Sequence, residues 1–221
     1  MKSSPSCQRS SSSDILSACY WDSRSKSLFL YEKTVIFRLS KMKPFISDVK
    51  KLQDMAPQSF CGVEVYNDFL IRFLKGSTTY LGQAEDSVVI EFNYYRVENR
   101  SQTRLNEEGW EEVEQMAFFK HGAVPHWAKN RNLAFLGAGA KYPNLGKFLH
   151  VMKKNDPDGL FSSDWSNKIL LQGGSMGAKA DGCALEGMCI CDEDRHCAPS
   201  EGYLCLAGKV YSEARVCRHQ E

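Results

Sequence analysis

The stretch Pro125-His126-Trp127-Ala128-Lys129 sets an imidazole, an indole and an ammonium almost side by side. Those three groups suit a polar, cation-lined pocket beside an aromatic wall. The plainer alternative is a surface loop with a half-buried tryptophan. A second concentration of reactive groups lies near the end of the chain, where Cys183, Cys189, Cys191, Cys197, Cys205 and Cys217 account for most of the nine cysteines. A dense, even set of cysteines in a loop-rich segment reads as a disulfide framework, and six cysteines allow fifteen pairings. The competing reading is a metal site built from Cys189, Cys191, His196 and Cys197. Cys-x-Cys is tighter than the usual zinc knuckle, so disulfides are the expectation and no metal is assigned. Nothing in this segment marks a catalytic cysteine.

Several elements must position these groups. Thr34-Val35-Ile36-Phe37 is β-branched and aromatic and predicts a short strand. Phe45, Ile46, Val49 and Leu52 recur at helical spacing over residues 43–54, and Met55-Ala56-Pro57 ends that helix, because the α region is disfavoured before proline. Residues 61–75 and 88–96 read as extended segments. Residues 105–120 predict an amphipathic helix with Trp110, Val113, Met116 and Ala117 on one face and Asn106 as its N-cap. Residues 144–154 again look helical. Asp156-Pro157-Asp158-Gly159-Leu160-Phe161 reads as a turn ending in apolar anchors. Tyr203 and Tyr211 are expected to pack over the bridges. The fold class that follows is α+β: an antiparallel sheet with flanking helices on one side, then a loop-rich, Cys-rich tail.

The 221 residues suffice for one good-sized core with a small appendage. A net charge of +1 argues against a nucleic-acid partner, which would need a basic face. No apolar run is long enough to cross a bilayer, and the N-terminus lacks the apolar core of a signal peptide. The expected division is a disordered Ser-rich segment over 1–18, a main domain over 19–172, a linker over 173–180 and a disulfide-rich tail over 181–221. A tail of secretory character without an export signal leads us to expect a truncated chain.

His126-Trp127-Ala128-Lys129, followed by Asp156-Pro157-Asp158-Gly159-Leu160-Phe161, resembles the C-terminal signature of the sugar-lactone oxidases, within the vanillyl-alcohol-oxidase superfamily of flavoproteins. The stretches Gly122 to Leu133, Phe161 to Trp165, Asp181 to Cys191, His196 to Ser200 and Ala214 to Cys217 are similar to the plant L-gulonolactone oxidases in particular. The resemblance runs from about Cys19 to Cys217.

This resemblance implies the cap domain of an FAD enzyme, a sheet laid over the flavin ring that shapes a sugar-lactone pocket. Its members oxidise an aldonolactone, pass hydride to flavin and then electrons to oxygen, in an ascorbate-forming pathway. It implies Lys129 beside the flavin as a catalytic cation, with His126, Trp127 and Asn130 in the pocket wall. Ile71-Arg72-Phe73-Leu74-Lys75-Gly76 resembles the family's strand in which a Glu and an Arg two residues apart face the substrate, which makes Arg72 the second catalytic candidate. The Glu position falls on Leu70 here, and Glu64 is a distant alternative. The alternative for Arg72 itself is a solvent-facing strand arginine.

The flavin-binding half, with its glycine-bearing pyrophosphate loop, has no counterpart; Gly137-Ala138-Gly139 is too short. The implied partners are a sugar lactone and either a flavin-domain chain or a second copy, met through an exposed apolar cap face. The implied location is the secretory pathway, vacuolar, extracellular or membrane-associated. A non-enzymatic, disulfide-stapled interaction module is the rival expectation.

Overall fold

The computed structural model describes residues 29–60, 65–96, 103, 106–171, 179–185 and 187–220. The expected Ser-rich segment, Glu64 and most of the expected linker lie outside these residues. Strand β1 (Phe29–Arg38) leads into helix α1 (Met42–Met55), then strands β2 (Val65–Leu74) and β3 (Ser87–Arg96) and helix α2 (Glu107–Gln115). After α2 come the short strand β4 (Val124–Pro125), helices α3 (Leu145–Asn155) and α4 (Asp164–Leu170), and the hairpin strands β5 (Tyr203–Ala207) and β6 (Arg215–His219). The main sheet has the order β2-β3-β1-β4 with every pair antiparallel. This is the α+β class expected.

Alternation along the strands gives the sheet two faces. Val35 and Phe37 of β1 pair in register with Ile90 and Val88 of β3, and all four are buried. Onto this face pack Phe45, Val49 and Leu52 of α1 and Trp110, Val113, Met116 and Ala117 about α2, so the helical spacing seen in the sequence is the core-facing stripe. Trp110 lies within 6 Å of the rings of Phe60, Phe69 and Phe92, and its indole N–H donates to the Ser59 carbonyl at 2.7 Å, so its one polar group is satisfied in the core.

Three differences from expectation have physical causes. Strand β1 runs ten residues because its whole length pairs with β3, which carries polar Glu32 and Lys33 into the ladder. The helix at 105–120 is α-helical only to Gln115; Met116–Lys120 is a π-helical turn, and Asn106 stands at the N-cap in the left-handed region without a side-chain capping bond. The turn at 156–161 does form, with Asp156 accepting from the Leu160 and Phe161 backbone N–H groups at 2.7 and 3.0 Å. Its apolar residues are not buried: Leu160 is 80% and Phe161 91% exposed.

The Cys-rich unit is held by Cys183–Cys189, Cys191–Cys205 and Cys197–Cys217. Cys189, Cys191 and Cys197 thus sit in three different bridges, which removes them as metal thiolates. The unit docks on α2 through polar groups and on the main core through Ile190, Val210 and Tyr211. Glu112 accepts the backbone N–H groups of Lys209, Val210 and Tyr211 at 2.6 to 2.8 Å, and Gln115 exchanges two bonds with the backbone of Arg215. Tyr203 meets His219, and Tyr211 packs against the main core.

At the far end of α2 the buried Asp48 of α1 receives Lys120 at 2.8 Å, His121 at 3.0 Å and Lys51 at 3.1 Å. Burial alone would raise its pKa, but the hydrogen bonds from these three groups outweigh it and hold the carboxyl down to about 2. A carboxyl depressed in the folded state stabilises fully above its unfolded pKa and progressively less as pH falls toward 2. We predict that Asp48→Asn costs roughly 2 kcal/mol at neutral pH and flattens the stability change between about pH 4 and 2, read by urea unfolding at each pH.

Candidate functional site

The opposite face of the sheet carries Glu32 and Thr34 of β1, Glu91 and Asn93 of β3, and Leu70 and Arg72 of β2, by the same alternation. Beside β1, the backbone N–H of His126 donates to the Thr34 carbonyl, which continues the β4 pairing. The chain then turns so that Lys129 reaches back over the sheet. Its ammonium lies 3.0 Å from Glu91 Oε2, and the Arg72 guanidinium lies 2.9 Å from the same oxygen. Glu32 stands 4.0 Å from Lys129. Arg72 and Lys129, far apart in sequence, therefore converge on one carboxylate, and Arg72 is not an isolated solvent-facing arginine.

The other candidates have mainly positioning roles. Asn130 accepts from the Thr34 N–H at 3.1 Å and donates to the Thr34 and His126 carbonyls at 3.0 and 2.9 Å. It pairs with β1 as a strand backbone would, so it fixes the segment rather than presenting a free amide. Trp127 stacks on Tyr142 with centroids 5.6 Å apart and meets Phe135 and Trp165. Its ring anchors the segment in an aromatic cluster. Burial, opposed by the bond with Trp127, pushes the Tyr142 hydroxyl up to about 12. His126 is half-buried, and its Nδ1 accepts the Ala128 N–H at 3.2 Å.

Below the sheet Arg131 enters a buried cluster with Lys33, Glu111 and Glu114. Arg131 pairs with Glu111 and lies 2.7 Å from Glu114; Lys33 lies 2.9 Å from Glu114 and 3.3 Å from Glu111. Burial alone would lower the Arg131 pKa, yet Glu111 and Glu114 raise it above the usual guanidinium value. Burial, and then the like charge of Arg131, pull Lys33 below its ordinary value despite both carboxylates. Gly187 of the Cys-rich unit has φ +63°, and a Cβ there would stand 2.5 Å from the Arg131 guanidinium carbon. The Arg131 site thus requires glycine at 187 for both conformation and space.

Sequence reasoning missed Glu91. Its signal was present: a lone acid in the apolar run Val88 to Phe92, on the face that Arg72 would share if the two strands paired. The exposed face is also more polar than expected. It presents Leu70 and Leu74 among charges, while the most exposed apolar residues are Leu160 and Phe161.

A flavin, implied by the resemblance, can be tested against these residues. An open sheet face with an ammonium held over it suits the ring of such a group. A pyrophosphate finds no cradle among the described residues. Gly139, in the only Gly-x-Gly they contain, instead packs against Leu145, whose side chain would lie 3.2 Å from an added Cβ. The face fits the ring-covering part of a flavin site, not the dinucleotide-holding part.

Comparison with known proteins gives two family matches: D-arabinono-1,4-lactone oxidase over residues 37–169, and the L-gulonolactone oxidase 2-like C-terminal domain over residues 180–219. Among curated proteins, L-gulonolactone oxidase 3 of Arabidopsis thaliana is 56% identical over 99% of this chain and 37% of its own length. L-gulonolactone oxidase 5 of the same plant is 48% identical over 99% of this chain and again 37% of its own length. A protein named probable truncated L-gulonolactone oxidase 7, mitochondrial, also from Arabidopsis thaliana, is 45% identical over 97% of this chain and 86% of itself. The chain therefore spans little more than a third of the first two relatives and most of the third.

The buried cluster predicts the cost of breaking it. Arg131→Met removes one cation from between carboxylates and should destabilise the fold by roughly 3 kcal/mol in urea unfolding. A change below about 1 kcal/mol would show that the cluster does not fix the segment.

Proposed function

Since the chain belongs to the D-arabinono-1,4-lactone oxidase family, in the branch of the plant L-gulonolactone oxidases, we propose that it forms the cap of an FAD-dependent aldonolactone oxidase of the ascorbate-forming type. The observation that carries this reading is the convergence of Lys129 and Arg72 on Glu91, on the sheet face turned away from the core. FAD, if bound, would supply the hydride acceptor for lactone oxidation and the route for electrons to oxygen. The chain's own residues do the rest. Arg72, with its side chain half-exposed, donates hydrogen bonds to lactone oxygens. Lys129 holds a positive charge where negative charge develops during reduction, and such a preorganised cation lowers the barrier because it need not reorganise. Asn130 and Trp127 keep Lys129 at its height above the sheet by binding β1 and the aromatic cluster.

The face that fits only part of a flavin favours a second body as partner, carrying the dinucleotide-holding elements. Exposed Leu160 and Phe161, on a turn made rigid by Asp156, supply apolar area for such a contact. The three disulfides favour an oxidising compartment of the secretory pathway. Among the described residues no helix is long and apolar enough to cross a membrane.

The test is to produce this chain together with the N-terminal portion of a plant relative, add FAD, remove free cofactor and record the visible spectrum. The expected result is a retained flavin band that bleaches on addition of L-gulonolactone. Lys129→Met should keep the band and slow the bleaching roughly a hundredfold. Bleaching at an unchanged rate would remove Lys129 from the chemistry, and a pair that binds flavin without responding to lactone would remove the oxidase reading.

A further inference from the structure

Among the described residues around Glu91, the charges on the open face of the sheet balance. Arg72 and Lys129 contribute two positive charges, and Glu91 and Glu32 contribute two negative ones. A carboxylate ligand arriving here meets cations already engaged and two anions that repel it. Glu91 is the better placed of the two acids, since its side chain is only 12% exposed against 49% for Glu32. Both cations share its Oε2, and among the described residues Oε1 is left to accept from a ligand.

Asn93 supplies a second acceptor. It lies two residues along β3 from Glu91, on the same face and roughly 7 Å away by strand geometry. It is 8% exposed, and its Oδ1 has no hydrogen-bond partner. A buried acceptor left unpaired is costly, and the group that relieves it is a donor such as a hydroxyl. The face therefore presents two acceptors for hydroxyl groups beside two donors whose charge is cancelled.

We propose that Glu91 and Asn93 determine substrate specificity here, accepting hydroxyl hydrogens of a neutral polyhydroxylated ring while Glu91 cancels the cationic charge that would otherwise admit a sugar acid. The selected form is the closed lactone and the rejected form its hydrolysed, open-chain carboxylate. This rests on the lactone reading above for the identity of the ring, but the charge role of Glu91 stands or falls without it.

The experiment is an NMR titration of the full chain and its variants with L-gulonolactone and, separately, with L-gulonate. Glu91→Gln, nearly isosteric, leaves the face with a formal +1 and should bind L-gulonate about tenfold more tightly than the unaltered chain, with the gain lost in high salt. Glu32→Gln, at an exposed position that does not threaten folding, should give a smaller gain in the same direction. Asn93→Ala should weaken lactone binding without any gain for gulonate. Folded Glu91→Gln and Glu32→Gln chains that bind gulonate no better than the unaltered chain would overturn the proposal. A gulonate gain in Glu91→Gln with no lactone response in any chain would keep the charge role and sink the lactone reading.

Discussion

Two cations buried beneath one strand fix where the candidate site can be. Lys33 points from β1 into the core and Arg131 reaches the same place from the loop after β4, and both close on Glu111 and Glu114 of α2. Charges so deeply buried are tolerated only as a closed set, because each one left alone would carry a large desolvation cost. The set therefore admits one arrangement of β1, α2 and the 126–131 segment. Successive residues of that segment then divide between the two sides of the structure. Arg131 goes below the sheet, Asn130 grips the backbone of β1 at Thr34, and Lys129 comes out above the sheet at Glu91. The reach of Lys129 is a consequence of what its neighbours bury.

The same cluster ties in the Cys-rich unit. Arg131 passes against Gly187, where no side chain would fit, and one helical turn of α2 offers Glu112 and Gln115 to the backbone of residues 209–215. These bonds run from side chains to backbone groups at the hairpin, and Ile190, Val210 and Tyr211 add apolar contact with the main core beside them. Disulfides then hold the unit's own shape, and α2 serves as a spine with the sheet on one side and the tail on the other.

Much of this was legible in the residues. The core stripes of α1 and α2 follow from Phe45, Val49 and Leu52 and from Trp110, Val113 and Met116, since helical spacing has only one way to gather them. Lys129 and Arg72 are legible through a resemblance in local motifs, which gives residue types but not distances. What sequence could not show is pairing across strands. Glu91 reads as a break in an apolar run until the β2–β3 register puts it beside Arg72, and Lys33 reads as a surface lysine until Glu111 and Glu114 are placed against it below the sheet. Leu160 and Phe161 mislead in the opposite way: apolar residues after a well-formed turn suggest anchors, but no surface of the described chain receives them. Sequence also cannot rank fifteen cystine pairings, because every choice is compatible with the same spacing until the chain path is known.

We propose that flavin and lactone meet this chain on the polar face of the sheet, at Arg72, Glu91 and Lys129. Hydrogen exchange tests it most directly, comparing the chain alone with the chain bound to the N-terminal portion of a plant relative loaded with FAD. Backbone protection is expected to rise over residues 70–74 and 126–130, with little change over the Cys-rich unit at 203–219. Protection that appears on the Cys-rich unit while both of those segments exchange as before would contradict it, and would place the partner on the other side of α2.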